Sequence, residues 1–470
     1  MAQAETKKTR IERDTMGEME VPEAALWGAS TQRAVLNFPI SGITFPRRFI
    51  RALTLVKRAA AHANLQLGLL DEAVAEAIAE AASEVAEGRH DQHFPIDIYQ
   101  TGSGTSTNTN ANEVIANLAS RKLGQKVHPN DHVNKCQSSN DVIPTAIQLS
   151  AAMAIEEDLL PNLDRLHESL EAKSKEFWTV IKTGRTHLQD ATPIRLGQEL
   201  RGYAGQIEAG KRRLRLALEE LLSVPLGGTA VGTGINAHPE YAALACKFLS
   251  REIGLEVRET DNHFWAQATL DAEVSAHGAL RTLAVSLWKI GCDIRLMGMG
   301  PRAGLAELAL PEVQPGSSIM PGKVNPVIVE SLTMVVARVL GNDTTITLCG
   351  QAGSLLELNV MMPVAASVML ESIELLAASA ENFSRRCVEG LEATERGPAL
   401  VEQGLMLATA LTPKIGYDAA AALAKEAYKT GKTIRELARE KGLSDQELKE
   451  LLNPAEMTEP GLGKGGGGGG

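Results

Sequence analysis

Leu159, Leu163, Leu166 and Leu170 recur at alternating steps of four and three residues, and this pattern restricts the fold more than any other feature. Leu280, Leu283, Leu287, Ile290 and Ile294 repeat it within Ala266–Leu296, and Tyr203, Ile207, Leu214, Leu218 and Leu221 form a third stripe. Such spacing keeps one face of a helix apolar over many turns, so the stripes predict long helices packed as a bundle that can continue across subunits. Val327–Leu340 and Val360–Leu376 are further apolar helical stretches, and Pro161 should kink the helix that contains it. Aromatic residues make up 4% of the chain while Ala, Leu, Glu and Gly abound, which favours helix over sheet. The expected class is all-α, mainly helical.

With 470 residues, more than one core is expected. Residues 1–137 mix short helical stretches, such as Asp71–Glu87, with loops, and form an N-terminal domain. Residues 138–362 carry the stripes and form a central helix-bundle domain. Residues 363–464 form a small C-terminal helical domain, with helices around Tyr417–Thr430, Thr433–Lys441 and Ser444–Leu452 and with Gly431 and Gly442 as stops. Residues 465–470 are all glycine and read as a flexible tail.

A formal net charge of -11 argues against general binding to nucleic acid or an anionic membrane, yet a few focused cations can still hold a small anion. The five cysteines are scattered and odd in number, which speaks against a disulfide framework or a zinc site. The amino terminus lacks an apolar signal core, and no uninterrupted apolar run reaches bilayer length. The expected location is cytoplasmic.

Four polar segments interrupt the helices. Gly102–Ser106, GSGTS, combines glycines, which let backbone N–H groups turn toward a ligand, with the Ser103 and Thr105 hydroxyls. It lies in the hydroxyl- and amide-rich run Thr101–Asn112, which reads either as a surface loop or as a lead into the apolar pattern at Glu113–Leu123. His128–Asp141, HPNDHVNKCQSSND, ends just ahead of a long helix. Ser138, Ser139 and Asn140 can cap that helix or bind an anion at its terminus. His128, Asn130 and Asp131 are too few for a distinctive metal site. Gly184–Thr192, GRTHLQDAT, sets His187 among polar neighbours, where it is either structural or catalytic, with Thr186 beside it to hold an anion. Gly316–Pro326, GSSIMPGKVNP, packs two glycines, two serines, a lysine and an asparagine into eleven residues. A solvated loop would explain its glycines and prolines but not this density of donors. Lys323 supplies a point charge and Asn325 a directional N–H pair for a carboxylate. Pro326 suits the first turn of the next helix, and Glu330 follows one turn on.

GSSIMPGKVNP resembles the signature of the fumarase/aspartase superfamily. The other segments resemble its remaining characteristic regions in order: GSGTS, HPND with SSND, GRTHLQDATP, and GGTAVGTGIN at Gly227–Asn236. The likeness runs from about Arg10 to about Met457. Within the superfamily it is nearest to the iron-free, class II fumarate hydratases. Pro321–Lys323 reads PGK where aspartases typically show PAK; Gly102–Thr105 reads GSGT and Ser138–Asp141 SSND, where aspartases tend toward GAGT and STND. Ile415–Asp418, IGYD, is fumarase-like as well. Ile143 stands where many relatives have Phe, and Cys136 where Ser is frequent.

The resemblance implies reversible hydration of fumarate to L-malate within the tricarboxylic acid cycle, with Ser317 as the base acting as an alkoxide. Lys323 and Asn325 would stabilise the carboxylate that takes up charge. His187 would act on the other face, directly or through water, with Glu330 pairing to it. The substrate's carboxylates would be held by Ser103, Gly104, Thr105, Ser138, Ser139, Asn140, Thr186, Ser318, Lys323, Val324 and Asn325. His128, Pro129, Asn130 and Asp131 match a second dicarboxylate site. The resemblance also implies three domains around a central five-helix bundle, a homotetramer whose active sites each draw on three chains, and no metal or organic cofactor. Aspartate ammonia-lyase activity on the same scaffold is the nearest alternative. A non-enzymatic helical structural protein is the other, and the joint presence of Ser317, His187, Lys323, Asn325 and Glu330 speaks against it.

Overall fold

A computed structural model describes residues 8–461; the glycine run 465–470 lies outside the described residues. The chain is 63% helical with few short strands, so the helical class read from the stripes holds. Its contacts resolve into two compact units. One takes the residues up to Pro161, with Gly210–Ala284 and Ala337–Ala377; the other takes Asn162–Ala209, Val285–Val336 and the residues from Ala378 on.

The first elements are an antiparallel hairpin, β1 (Thr9–Asp14) and β2 (Gly17–Pro22), and the helices α1 (Ala29–Asn37), α2 (Arg47–Gln66), α3 (Glu72–Ala86) and α4 (Thr105–Leu123). The Arg10 guanidinium fastens the start of the chain by donating to the carbonyls of Pro22, Glu23, Ala25 and Trp27 at 2.7–3.0 Å. α2 packs against α3, α5 (Ser139–Ala154) and α8 (Tyr241–Ile253), burying Phe49, Leu53, Val56 and Ala60. This region therefore holds a helix of 20 residues rather than only the short stretches expected.

α4 begins at Thr105, inside the polar run, and not near Glu113. Thr107, Asn108, Asn110 and Asn112 are buried there, and part of their polar surface is paired: Asn110 donates to His93 O at 2.9 Å, and Thr107 Oγ1 donates to Gln100 Oε1 at 2.9 Å. Those bonds offset part of the desolvation cost that would otherwise keep such a run at the surface.

α5 gives way to a π turn at Ile155–Leu159 and then to α6 (Leu160–Glu176), with Pro161 second in α6. The expected proline irregularity is thus a π turn, whose wider coil relieves the clash between the ring and the preceding carbonyl. Next come β3 (Ile181–Thr186), β4 (Gln189–Arg195), α7 (Leu196–Leu221), α8, α9 (His263–Ala268), α10 (Asp271–Met297), α11 (Val327–Gly353) and α12 (Met362–Arg386). The stripe residues on α6, α7 and α10 are all buried. Among the described residues one helix, Met362–Gly390, is long and apolar enough to cross a membrane, with 67% of its apolar window buried inside the protein. The expectation that no uninterrupted apolar run reaches that length is not contradicted by it. Its serines and glutamates break the run without offsetting the apolar majority, and a buried core helix has that character.

In the second unit, α13 (Arg396–Val401), α14 (Thr412–Ile415), α15 (Tyr417–Thr430), α16 (Ile434–Glu440) and α17 (Asp445–Leu451) follow. α15, α16 and α17 surround Leu411, Leu423, Ile434, Leu437, Leu448 and Leu452. Thr433 with Glu436, and Ser444 with Glu447, form reciprocal capping boxes, and Gly431 and Gly442 adopt φ of 71° and 98° at the helix ends. These three helices fall where the sequence places them.

Candidate active site

In the first unit the GSGTS segment forms the start of α4. A Cβ at Gly102 would lie 1.8 Å from Val360 O, and one at Gly104 (φ +71°) would lie 2.8 Å from Ile143 Cγ2. Close packing therefore demands both glycines. The Ile143 noted as a departure from many relatives is the side chain that Gly104 abuts. That packing sets Ser103, which is buried, against Thr105 at the first turn, their hydroxyl oxygens 2.7 Å apart.

Ser138 caps α5, its Oγ accepting from Asn140 N at 3.3 Å. Asp141 completes the cap by accepting from Ser138 N at 2.9 Å and anchors the Gly227–Asn236 loop through Gly227 N and Thr229 N, each at 3.0 Å. Asn140 donates to Ala230 O at 2.8 Å in the same loop. The capping reading is thus realised without excluding the anion reading, because Ser139 Oγ takes no part in the cap. Asn108 Nδ2 donates to Ser139 Oγ at 2.9 Å and ties the starts of α4 and α5 together. The structure brings Ser103, Gly104, Thr105, Ser138, Ser139 and Asn140 to two adjoining helix N-termini, where unpaired N–H groups and the helix dipoles favour a carboxylate.

Beneath these termini lies Lys57, wholly buried on α2 and donating to Asn134 Oδ1 and Gln137 Oε1 at 2.9 Å each. Burial pulls its ammonium down to about 7, against the opposing pull of the Asp141 carboxylate. Burial in turn pushes Asp141 up, while its three backbone donors and Lys57 act the other way. Asn108 and Asp141 lie in the polar segments without a role being read for them, and Lys57 lies in none. The available signal is periodicity: Leu53, Lys57, Ala60 and Asn64 share the buried face of α2. His128, Pro129, Asn130 and Asp131 enter a π turn over Pro129–Val133, a form common at functional sites, with His128 Nδ1 accepting from Asn130 N at 3.3 Å and Asp131 N at 3.1 Å.

The second unit holds the remaining candidates. β3 and β4 pair antiparallel with Thr186 opposite Gln189, so His187 and Leu188 form a two-residue turn. Their φ angles of 56° and 57° are those of a type I′ turn, which normally takes Asn-Gly. Holding two non-glycine residues there costs on the order of 1 kcal/mol each, and strain of this kind concentrates at functional sites. It presents Thr186 and His187 as an exposed tip and favours the catalytic reading of His187. The hairpin rests on a buried ionic cluster: Arg185 grips Glu307 in a fork at 2.8 and 2.9 Å, and Lys182 lies 3.2 Å from Glu307 and 3.0 Å from Glu199.

The Gly316–Pro326 loop is closed by its own donors. Gly316 N donates to Lys323 O at 2.9 Å, Asn325 Nδ2 donates to Gly316 O at 2.7 Å, and the Lys323 ammonium bonds Asn325 Oδ1. Ser317 Oγ accepts from Ile319 N at 3.3 Å and Met320 N at 2.9 Å. Two N–H groups on one hydroxyl oxygen stabilise negative charge on it. The Lys323 charge, expected to act on a carboxylate, is engaged with Asn325. Ser318, Lys323 and Val324 are exposed, and Glu330 is exposed on the first turn of α11. Among the described residues no hydrogen bond joins His187 to Glu330 or Ser317 within the chain. Chemically, the loop offers a polarised hydroxyl, a cation and an amide, and the hairpin an imidazole: the parts needed to take a carbon-bound proton beside a carboxylate.

Residues 17–341 match the family model described as Lyase, and residues 407–459 match Fumarase C C-terminus. The chain is 53% identical to a class II fumarate hydratase of Halobacterium salinarum, over 96% of this chain and 98% of that one. It is 50% identical to the class II fumarate hydratase of Methylorubrum extorquens, over 96% and 98% of the two chains. Its structure is similar to the crystal structure of a recombinant class II fumarase from Schistosoma mansoni, with a TM-score of 0.94 and 39% identity over 96% of this chain and 99% of that one. Fold, motif order and likeness over nearly the full length agree, and the chain belongs to the lyase family, among the class II fumarate hydratases.

Proposed function

We propose that this chain catalyses the reversible hydration of fumarate to L-malate, in the tricarboxylic acid cycle of the cytoplasm. The observation that carries the reading is Ser317, whose Oγ takes two backbone N–H bonds within a donor-rich loop, in a chain about half identical to class II fumarate hydratases. In the malate direction Ser317, as alkoxide, removes the proton from the carbon next to a carboxylate. The electron pair delocalises into that carboxylate, and Lys323 and Asn325 exchange their mutual bond for bonds to it. His187, directly or through a water, protonates the departing hydroxide on the opposite face, with Glu330 pairing to it. Ser103, Gly104, Thr105, Ser138, Ser139, Asn140, Thr186, Ser318 and Val324 hold the dianion. His128, Pro129, Asn130 and Asp131 form a second dicarboxylate site on the π turn. The parts named here need no metal or organic cofactor.

The active unit in this reading is a homotetramer of joined five-helix bundles, each site drawing on three chains. Exposed apolar side chains along the long helices support it, among them Leu216 on α7, Val285 and Trp288 on α10, and Met334 and Leu348 on α11. So does the exposed hairpin tip, which has no hydrogen bond to Glu330. Each chain divides into domains 1–137, 138–362 and 363–464. The net charge of -11 supports small dicarboxylates, rather than nucleic acid or a membrane, as partners. Fumarate absorbance tests the reading: it should rise when the enzyme meets L-malate. A rise from aspartate alone assigns the chain to the ammonia-lyases, and no rise with either leaves a structural protein.

A further inference from the structure

A lysine without exposed surface on the buried face of a helix is costly to keep, because burial disfavours the ammonium strongly unless its donors are used. Lys57 lies on α2 beside Leu53, Val56, Ala60 and Ala61, all buried, and uses its donors on Asn134 Oδ1 and Gln137 Oε1. An ammonium has donors and no acceptor, so both amides must present oxygen to it. The rest of each amide agrees: Asn134 Nδ2 donates to Gln137 O at 3.1 Å, and Gln137 Nε2 donates to Val133 O and Lys135 O at 3.1 Å each. Asn134 Oδ1 then accepts a second bond, from Asn108 Nδ2 at 3.3 Å, and the same Nδ2 donates to Ser139 Oγ at 2.9 Å. Ser139 Oγ is therefore an acceptor on its buried side, and among the described residues no acceptor takes its own proton. Asn108 and Ser139 could each be reversed by turning an amide or a hydroxyl, whereas the backbone carbonyls of Gln137, Val133 and Lys135 hold Asn134 and Gln137 in the orientation that Lys57 requires. Lys57 is the charged member, and as an ammonium it can only donate.

We infer that Lys57 is a positioning residue that sets the direction of a buried hydrogen-bond relay, through Asn134 and Asn108, so that the Ser139 hydroxyl points its proton at the substrate carboxylate. The inference rests on the reading of Ser139 as a substrate ligand. It makes the start of α5 a donor site by polarity as well as by helix dipole, in a layer that touches no substrate.

The test is a double-mutant cycle on the full-length enzyme, with KM and kcat for fumarate read separately for Lys57→Met, Ser139→Ala and the pair. Ser139→Ala should raise KM about tenfold, the loss of one hydrogen bond to a charged group. Lys57→Met should raise KM by a similar factor while kcat changes less than about twofold, and the double variant should be no worse than Ser139→Ala alone, since a shared path makes effects non-additive. Factors that multiply in the double variant, or an unchanged KM in Lys57→Met, overturn the relay. An unchanged KM in Ser139→Ala overturns instead the reading of Ser139 on which the relay rests. Should Lys57→Met fail to fold, Asn108→Leu interrupts the same path without a charge change and must show the same non-additivity with Ser139→Ala; multiplying factors there overturn the relay equally.

Discussion

Replacing Glu307 by glutamine tests whether the ionic cluster under the hairpin holds the strained tip in place. Glu307 is 1% exposed and accepts at both oxygens: Arg185 Nη2 to Oε1 at 2.8 Å, Arg185 Nη1 to Oε2 at 2.9 Å, with Lys182 Nζ 3.2 Å from Oε2. Lys182, 2% exposed, also has Glu199 at 3.0 Å and Thr183 O at 3.1 Å, so it keeps partners after the change. Glutamine fits the volume but has one acceptor. In its better orientation the oxygen stays at the Oε2 position, the Arg185 Nη2 bond is lost, and two cations face a neutral amide. A charge-assisted bond contributes about 1.5–3 kcal/mol, and removing one member of a buried pair costs about 3–5 kcal/mol. We expect a loss of about 3–4 kcal/mol in urea unfolding followed by circular dichroism at fixed protein concentration. Because Arg185 immediately precedes Thr186 and His187, kcat for fumarate should also fall about tenfold, since catalytic geometry tolerates little displacement. Glu199→Gln touches only one of the Lys182 contacts and should cost about 1–2 kcal/mol. A Glu307→Gln protein within about 1 kcal/mol of the parent, or one more stable than Glu199→Gln, refutes the reasoning.

Ser317→Ala should lower turnover of malate by about a thousandfold or more with the far-UV spectrum unchanged, and near-parental turnover refutes its role as base. Gly102→Ala forces a Cβ to 1.8 Å from Val360 O, where backbone must move; it should cost more than about 3 kcal/mol. Gly202→Ala on α7 meets no atom within 4 Å and should stabilise by about 0.5–1 kcal/mol, and equal thermal midpoints for the two alanine variants would contradict the packing argument. Burial pushes Glu273 up to about 8 from 4.5. A carboxyl raised on folding carries its full contribution below about pH 4.5 and loses it as pH climbs through about 8. Glu273→Gln should therefore gain on the parent progressively across that window, by up to about 5 kcal/mol at its upper end. Thermal midpoints from about pH 4 to about pH 8.5 check the sign, and a gap that widens on acidification refutes it.

Much of the helical framework is legible in the residue order because its signals are local. The stripes on α6, α7 and α10 repeat within one turn, and the Thr433 and Ser444 boxes lie within four residues of their glutamates. α4 is legible only in its second half. Its first turns, TSTNTNAN, bury amide N–H groups on His93 and Ser139, 17 and 31 residues away, and no local pattern encodes those pairings. The hairpin leaves no strand signal either, since β3 and β4 lack strict alternation and their turn is His187-Leu188 instead of Asn-Gly. The site residues follow from motif order and likeness, yet the glycines of GSGTS owe their identity to Val360 and Ile143.

The helical class, the caps and stops of the C-terminal helices, and the family likeness can all be read along the chain, because periodicity, capping and signature motifs are written in neighbouring residues. Which polar groups are buried, and what they face, is settled by the folded arrangement alone: Lys57 under Ser139, Asp141 between the cap and the Gly227 loop, Arg185 and Lys182 on Glu307. A buried charge is tolerated only where folding brings its partner to hydrogen-bond distance. In the Glu307 cluster that pairing links Lys182 to Glu199, 17 positions on, and Arg185 to Glu307, 122 positions on, a relation no local pattern encodes.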